Sequence, residues 1–163
     1  MRPDERTGAR ERLGEYARKR TAERTPEPMP RRGHFRRIPD HAPSFVVQAH
    51  AARRFHHDFR LERAGVLVSW AVPKGVPSDE GIPNRLAVKT EDHPLEYAGF
   101  SGVIPAGQYG AGTVEIVDHG TYEVEKWDER EVKVVLQGEQ LSGRYVLVHT
   151  DGRRWLLHKM GGR

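Results

Sequence analysis

Residues 54–62 read RFHHDFRLE, and the placement of this run decides the fold. Its apolar residues recur at every second position, which predicts a β-strand. One face then carries Phe55, His57, Phe59 and Leu61, a mostly apolar set suited to a core. The other carries His56, Asp58, Arg60 and Glu62, all ionisable, which must meet water, counter-charges or a ligand. Side chains at i and i+2 of a strand start roughly 6.5–7 Å apart. Their heads can converge on one ion at roughly 2.0–2.2 Å from each. His56 and Asp58 have that spacing. Upstream, residues 44–50, SFVVQAH, alternate in the same way and end on His50, and AARR lets the chain turn back. His50, His56 and Asp58 are therefore a candidate two-histidine, one-carboxylate site, with donors suited to Mn²⁺, Fe²⁺ or Zn²⁺. An HxD pair is also compatible with a solvated polar face that holds no metal.

Arg60 lies next on the same face and keeps its charge. A cation beside a metal site makes sense for a strongly anionic ligand, and the guanidinium fork matches phosphate oxygens. Arg53 and Arg54 in the turn read as solvating residues. A second constellation, VKTEDHPLEYAGFSG at 88–102, holds Glu91, Asp92, His93, Glu96 and Tyr97. Pro94 pushes His93 towards an extended backbone. His93 and Tyr97 suit phosphate contact or proton transfer, or else belong to an ordinary polar loop. Lys74, at a strand end in WAVPKG, is a point charge for phosphate or a surface residue. IPAGQYGAG, 104–112, has the order GxxGxG with a strand after it, so it does not fit a dinucleotide fingerprint. It reads as a turn with a close backbone approach, over the site. GxSxG, Walker and HExxH sequences are all missing from the chain. Metal-assisted phosphate chemistry is the enzyme reading the residues support best.

Further short strands are read in GVLVSWAVPK, RLAVKTE, GTVEIVDHG, TYEVEKW, EVKVVLQG, GRYVLVHT and RWLLHKM, punctuated by glycine, proline and Asp-Gly, with TDGR as a turn. The fold class expected is mainly β: a compact antiparallel β-barrel with an N-terminal helix and a basic arm. Asp4 to about Arg20 has helical spacing, with weak apolar marks at Leu13, Tyr16 and Ala17, and TPEPMP stops it. An arginine-rich arm, PRRGHFRRIPDHAP, follows. The first forty residues hold twelve Arg/Lys against seven Asp/Glu, 12 − 7 = +5 of the whole chain's +4. Residues 1–12 read as a segment open to disorder, and 13–163 as a single domain. With no cysteine in 163 residues, disulfides, thiolate metal sites and cysteine catalysis are excluded. The N-terminus lacks the apolar stretch of a secretory signal, and no run approaches a membrane span. These features lead to the expectation of a cytoplasmic protein with an anionic partner.

The segments YARKRTAERTPEP, FVVQAHAARRFHHDFRLERAGVLVSWAVPKG and LAVKTEDHPLEYAGFSGVIPAGQYGAG resemble the 3′-phosphoesterase module of bacterial ATP-dependent DNA ligase D, which also has free-standing relatives. The resemblance runs from about residue 13 to RRWLLHKM. It implies a Mn²⁺-dependent enzyme, with other divalent transition metals as alternatives, that heals DNA 3′ ends in non-homologous end joining. The family removes a terminal ribonucleoside, leaving a 3′-phosphate, and then hydrolyses that phosphate to a 3′-OH. The implied fold is a compact barrel with a polar, site-bearing interior.

Carried over by position, the resemblance makes His50, His56 and Asp58 the metal ligands. Arg60, His93 and Arg20 become phosphate-contacting, catalytic residues, and Tyr97 joins them. Glu27, Gln48, Lys74, Arg85 and Glu91 become supporting or substrate-binding positions. One departure stands out: the family commonly has an aspartate and an aromatic residue after the early arginine, where this chain has Thr21 and Ala22. The expected partners are primer-template 3′ ends, including ends with a terminal ribonucleotide, and a separate ligase, polymerase and end-binding protein, because 163 residues leave no room for those domains. A non-catalytic DNA-end binding module and a two-His, one-carboxylate Fe²⁺ oxygenase are the competing readings.

Overall fold

The structure, a computed structural model, describes residues 12–20, 26–28 and 42–161. A short helix, α1 (Gly14–Arg18), precedes β1 (Ser44–Ala51), β2 (Phe55–Arg63), β3 (Val66–Val72) and β4 (Arg85–Lys89). A 3-10 turn (Leu95–Gly99) and β5 (Gly102–Ile104) follow. The chain ends in β6 (Gly112–Trp127), β7 (Glu131–Gly138), β8 (Ser142–Asp151) and β9 (Arg154–Lys159). Every pairing is antiparallel, in the order β1-β2-β3-β4-β9-β8-β7-β6, and β6 pairs back onto β1. The eight strands thus close into a barrel, which removes the free edges an open sheet would expose. β5 is an extra strand beside the first residues of β6. The mainly β barrel expected from the alternation is the fold found. Residues 4–11 of the predicted helix and the basic arm lie outside the described residues.

Alternation explains the packing. Phe59 and Leu61 of β2, with Phe45, Val47, Val68 and Trp70, join the large apolar cluster that fills the barrel. Phe55, assigned by its spacing to the same face, is instead 58% exposed, because the strand has run past the end of the core. On β3, Val66, Val68, Trp70 and Val72 point inward, while Leu67 belongs to a second cluster with Tyr16, Tyr97, Phe100, Ile104 and Val114. That cluster lies outside the wall, under α1, the 3-10 turn and β5. The wall formed by β1–β3 is therefore buried on both faces. This corrects the expectation of a polar, site-bearing interior: the interior is apolar, and the ionisable face of β2 looks outward beneath the covering layer. An aqueous interior would forfeit the burial of these aliphatic and aromatic side chains, roughly 25 cal/mol per Å² of apolar surface.

GTVEIVDHG and TYEVEKW, expected as two strands, form one continuous β6. Asp-His-Gly is not a turn here. Gly120 is required because a side chain there would come within 2.2 Å of the Gln137 carbonyl. Asp118 sits at the register shift of β1 against β6 and is 3% exposed. Its carboxylate accepts from the backbone N–H groups of His119, Glu139, Gln140 and Leu141, at 2.7–3.1 Å. Burial raises its pKa, but these donors outweigh burial and hold it below the usual carboxylate range. A depressed folded pKa contributes stability above the unfolded value, and that stability is lost as pH falls through the folded one. Asp118→Asn is expected to cost roughly 2–3 kcal/mol near pH 7, since hydrogen bonds to a charged group are lost. Urea denaturation at pH 7 and at pH 3 checks this. The deficit should shrink at the lower pH, and an equal deficit at both would refute the role of the charge.

Candidate active site

The β1–β2 hairpin builds the site. Its register sets His50 against His56, Gln48 against Asp58 and Val46 against Arg60, so these side chains share the outward face of two neighbouring strands. His50 Nδ1 lies 3.5 Å from Asp58 Oδ2, and His56 Nε2 lies 3.1 Å from Asp58 Oδ1. One donor atom from each residue falls within 4.8 Å of the others, so the group could hold a metal ion. The remaining ring nitrogens are committed. His50 Nε2 donates to the Gly110 carbonyl at 2.7 Å and His56 Nδ1 to the Arg54 carbonyl at 3.2 Å. A carbonyl can only accept, so in the neutral rings these bonds hold the proton away from Asp58, and the nitrogen facing Asp58 is the one free to ligate once it has lost its proton. Metal-binding histidines are oriented in this way. The donor set fits a divalent cation with mixed nitrogen and oxygen ligands.

Burial pushes the Asp58 carboxyl up, but Arg60, His50 and His56 together hold it well below the usual carboxylate range. Burial lowers the His56 pKa and Asp58 more than restores it, for a net rise. Both shifts reflect a carboxylate with cationic company, and a bound cation would replace the proton of His56.

Arg60, 2% exposed, holds the other half of the site. Its Nε donates to Gln48 Oε1 at 2.7 Å, Nη2 lies 3.3 Å from Asp58 Oδ2, and the guanidinium sits 4.7 Å from the Tyr97 ring centroid. Its Nη1 is buried and has no hydrogen-bond partner among the described residues. Gln48 in turn donates to the carbonyls of Tyr97 and Phe100, tying Arg60 to the 3-10 turn.

Arg20 enters from the end of α1. It donates from Nε to Glu27 at 2.9 Å and from Nη1 to Glu91 at 3.1 Å, and it stacks 3.8 Å above the Tyr16 ring. Tyr97 donates its hydroxyl to Glu27 at 2.6 Å. His93 is held by a bridge to Leu67 and gives its Nδ1–H to the Glu91 carbonyl at 2.9 Å. Burial, then Arg60 and Arg20, push its pKa well below the ordinary value, so it is a neutral imidazole with Nε2 unprotonated.

These side chains surround one pocket of about 280 Å³, which includes Arg20, Glu27, His50, His56, Asp58, Arg60, Glu91, His93 and Tyr97. Gln48 stands behind it. Lys74 and Arg85 are not in its walls. Lys74 is exposed, and Arg85 donates to the Lys74 and Gly75 carbonyls, clamping that turn. Thr21 and Ala22 lie outside the described residues. Thr90, Tyr109 and the carbonyl of Gly110 also belong to the pocket and were not singled out in the sequence. For Tyr109 and Gly110 the signal was the GxxGxG turn, whose Gly110 carbonyl approaches His50, whereas Thr90 carried none.

Fold and pocket together define a barrel protein whose outer wall carries a triad that could hold a cation beside two buried guanidinium groups. The family whose model matches residues 48–149 is described as the DNA Ligase D 3′-phosphoesterase domain, and the chain belongs to that family. It is 53% identical over 154 residues to the multifunctional non-homologous end joining DNA repair protein LigD of Mycobacterium tuberculosis, covering 92% of this chain and 20% of the relative. Against LigD of Mycolicibacterium smegmatis it is 47% identical over 163 residues (92% and 21%), and against LigD of Pseudomonas aeruginosa 46% over 156 residues (90% and 18%). The chain spans about a fifth of the length of these relatives.

Proposed function

We propose that the chain is a DNA 3′-end-healing phosphoesterase of non-homologous end joining. It removes a 3′-terminal ribonucleoside and then the 3′-phosphate left behind, yielding a 3′-OH. The family membership supports this reading, and one observation carries it: the Nη1 of buried Arg60, without a partner among the described residues, lies on the same pocket as a triad that could hold a cation. A cation at the triad takes up the Asp58 charge and leaves the Arg60 charge uncompensated. A phosphate oxygen is then the natural partner for Nη1. Arg20 brings a second guanidinium, already aligned by Glu27 and Glu91.

A divalent cation, Mn²⁺ by preference, held by His50 Nδ1, His56 Nε2 and Asp58, would polarise the phosphorus. Arg60 and Arg20 neutralise the charge that grows on the equatorial oxygens. His93, its Nδ1 fixed on Glu91, handles the proton at the reacting oxygen through Nε2. Burial, then the two arginines, disfavour the imidazolium, and a phosphate placed between the arginines would offset their share. The base-rich N-terminal arm, with Arg31, Arg32, Arg36 and Arg37, suits salt-sensitive contacts to the duplex backbone. The substrate is a primer-template 3′ end, and the healed end passes to a ligase. Among the described residues no helix is long and apolar enough to cross a membrane.

The test is a 5′-labelled primer-template with one 3′ ribonucleotide, incubated with Mn²⁺ and with chelator. Shortening by one nucleoside, followed by loss of the terminal phosphate, is expected only with the metal. Retarded migration of an unshortened primer would make the chain a DNA-end binding module instead.

A further inference from the structure

All three tryptophans of the chain line a second cleft, of about 410 Å³, at one open end of the barrel. It lies between the β2–β3 turn and the β6–β7 turn. Trp70 and Trp155 meet edge to face with centroids 5.6 Å apart, and Trp70 and Trp127 are 6.4 Å apart. Three cations stand at the rim: Arg63, 4.5 Å above the Trp127 ring, Lys89, 5.7 Å from the Trp70 ring, and Arg12. The Trp70 indole N–H is buried with no acceptor among the described residues.

Two carboxylates, Asp128 and Glu129, share the rim. Asp128 is occupied: its Oδ1 accepts from the N–H groups of Arg130 and Glu131, and its Oδ2 lies 3.8 Å from Lys126. Arg12 is bound to Asp92 at 2.8 Å. Arg63 makes no ion pair among the described residues, and its guanidinium carbon lies 4.5 Å from the Trp127 ring centroid. Trp70 and Trp155 are buried in the core, so half-buried Trp127 is the indole a base can reach, with the Arg63 guanidinium beside it. Stacking for a base and charge for a backbone is the chemistry that single-stranded nucleic acid uses.

We propose that this cleft is a second nucleic-acid site, taking one unpaired nucleotide with its base on Trp127 and its phosphate at Arg63. The choice of DNA as the strand rests on the function proposed for the pocket. The two sites are joined through one short helical segment. Arg12 stands at the cleft and Arg20 in the pocket, on the order of 12 Å apart at helical rise. Their partners, Asp92 and Glu91, are neighbours in the chain. One DNA molecule can reach both.

The protein carries its own probe, because every tryptophan is in the cleft. Titration of the full chain with oligothymidylate of about 12 nucleotides, long enough for one such site, should quench the tryptophan emission saturably and in a salt-sensitive manner. The anisotropy of a labelled oligothymidylate gives binding independently. Arg63→Glu should weaken the quenching by roughly tenfold or more, as loss of a stacking and phosphate contact implies. Trp127→Phe, at a half-buried position, should remove part of the emission change with the fold kept. The quenching is read without turnover, so a failure of the proposed chemistry leaves this result standing. Binding seen by anisotropy with unchanged tryptophan emission would overturn the proposal. So would undiminished affinity in Arg63→Glu, or quenching by polyglutamate but not by oligothymidylate, which would place an acidic protein segment in the cleft.

Discussion

Asp58→Asn is expected to abolish divalent-cation binding and to reduce both esterase reactions by roughly a thousandfold, about 4 kcal/mol of transition-state stabilisation. The carboxylate is the one anionic member of the triad, and a nitrogen of each imidazole faces it. Asparagine keeps the shape but turns one oxygen into an N–H₂ that faces a lone pair or the Arg60 guanidinium. The folded state suffers as well. Arg60 loses the one carboxylate it pairs with among the described residues, in a nearly sealed environment, and breaking a buried ion pair costs on the order of 3–5 kcal/mol. Hydrogen bonding by the amide offsets part of this.

The pH dependence of the wild type separates the two effects. Asp58 has a depressed folded pKa, so its contribution is complete above the unfolded value of about 3.9 and is lost as pH falls through the folded one. His56 has a raised pKa, so its contribution to the metal-free protein is complete below about 6.5 and fades as pH rises through the folded value. Cation binding runs the other way, because His56 Nε2 must lose its proton to ligate. Mn²⁺ affinity measured by calorimetry should therefore climb between pH 6 and 8 while the metal-free protein loses stability over the same range. Wild-type affinity in Asp58→Asn, or an affinity indifferent to pH, would remove the triad as the metal site.

Part of this was legible in the chain because strand alternation is a local rule. RFHHDFRLE and SFVVQAH fixed the hairpin, and with it the shared face of His50, His56, Asp58 and Arg60. The side of the wall on which that face lies is not local. It depends on which alternate residues the other strands direct inward, and on a covering layer contributed by Tyr16, Tyr97 and Phe100 from distant segments. Asp118 and Gly120 imitated a turn because turn residues also serve where two strands approach closely. Arg20 and Glu27 entered only through family resemblance, since no periodicity links the end of α1 to β2. The tryptophan cleft was invisible for the same reason: its three rings come from β3, β6 and β9.

Arg60→Lys is the second substitution with a large expected effect, and it tests the division of labour within the pocket. The guanidinium performs three tasks in one plane: Nε on Gln48, Nη2 towards Asp58, and Nη1 left for the ligand. An ammonium on a flexible stem keeps the charge but cannot point three ways in a plane. Seated near Asp58, it would leave the Gln48 carbonyl oxygen buried without a donor. Seated at Gln48, it would leave the phosphate oxygen unmet. Turnover of a 3′-phosphate-terminated primer should fall by roughly 10²–10³, the usual consequence of removing one preorganised donor at a developing oxyanion. Mn²⁺ affinity should change only a few-fold, because none of the three ligating atoms moves. Competition by inorganic phosphate should weaken in step with turnover, since Nη1 acts on the anion and not on the metal. A variant that loses Mn²⁺ but still binds phosphate would reverse these assignments, placing Arg60 in service of Asp58 and leaving Arg20 as the principal phosphate contact.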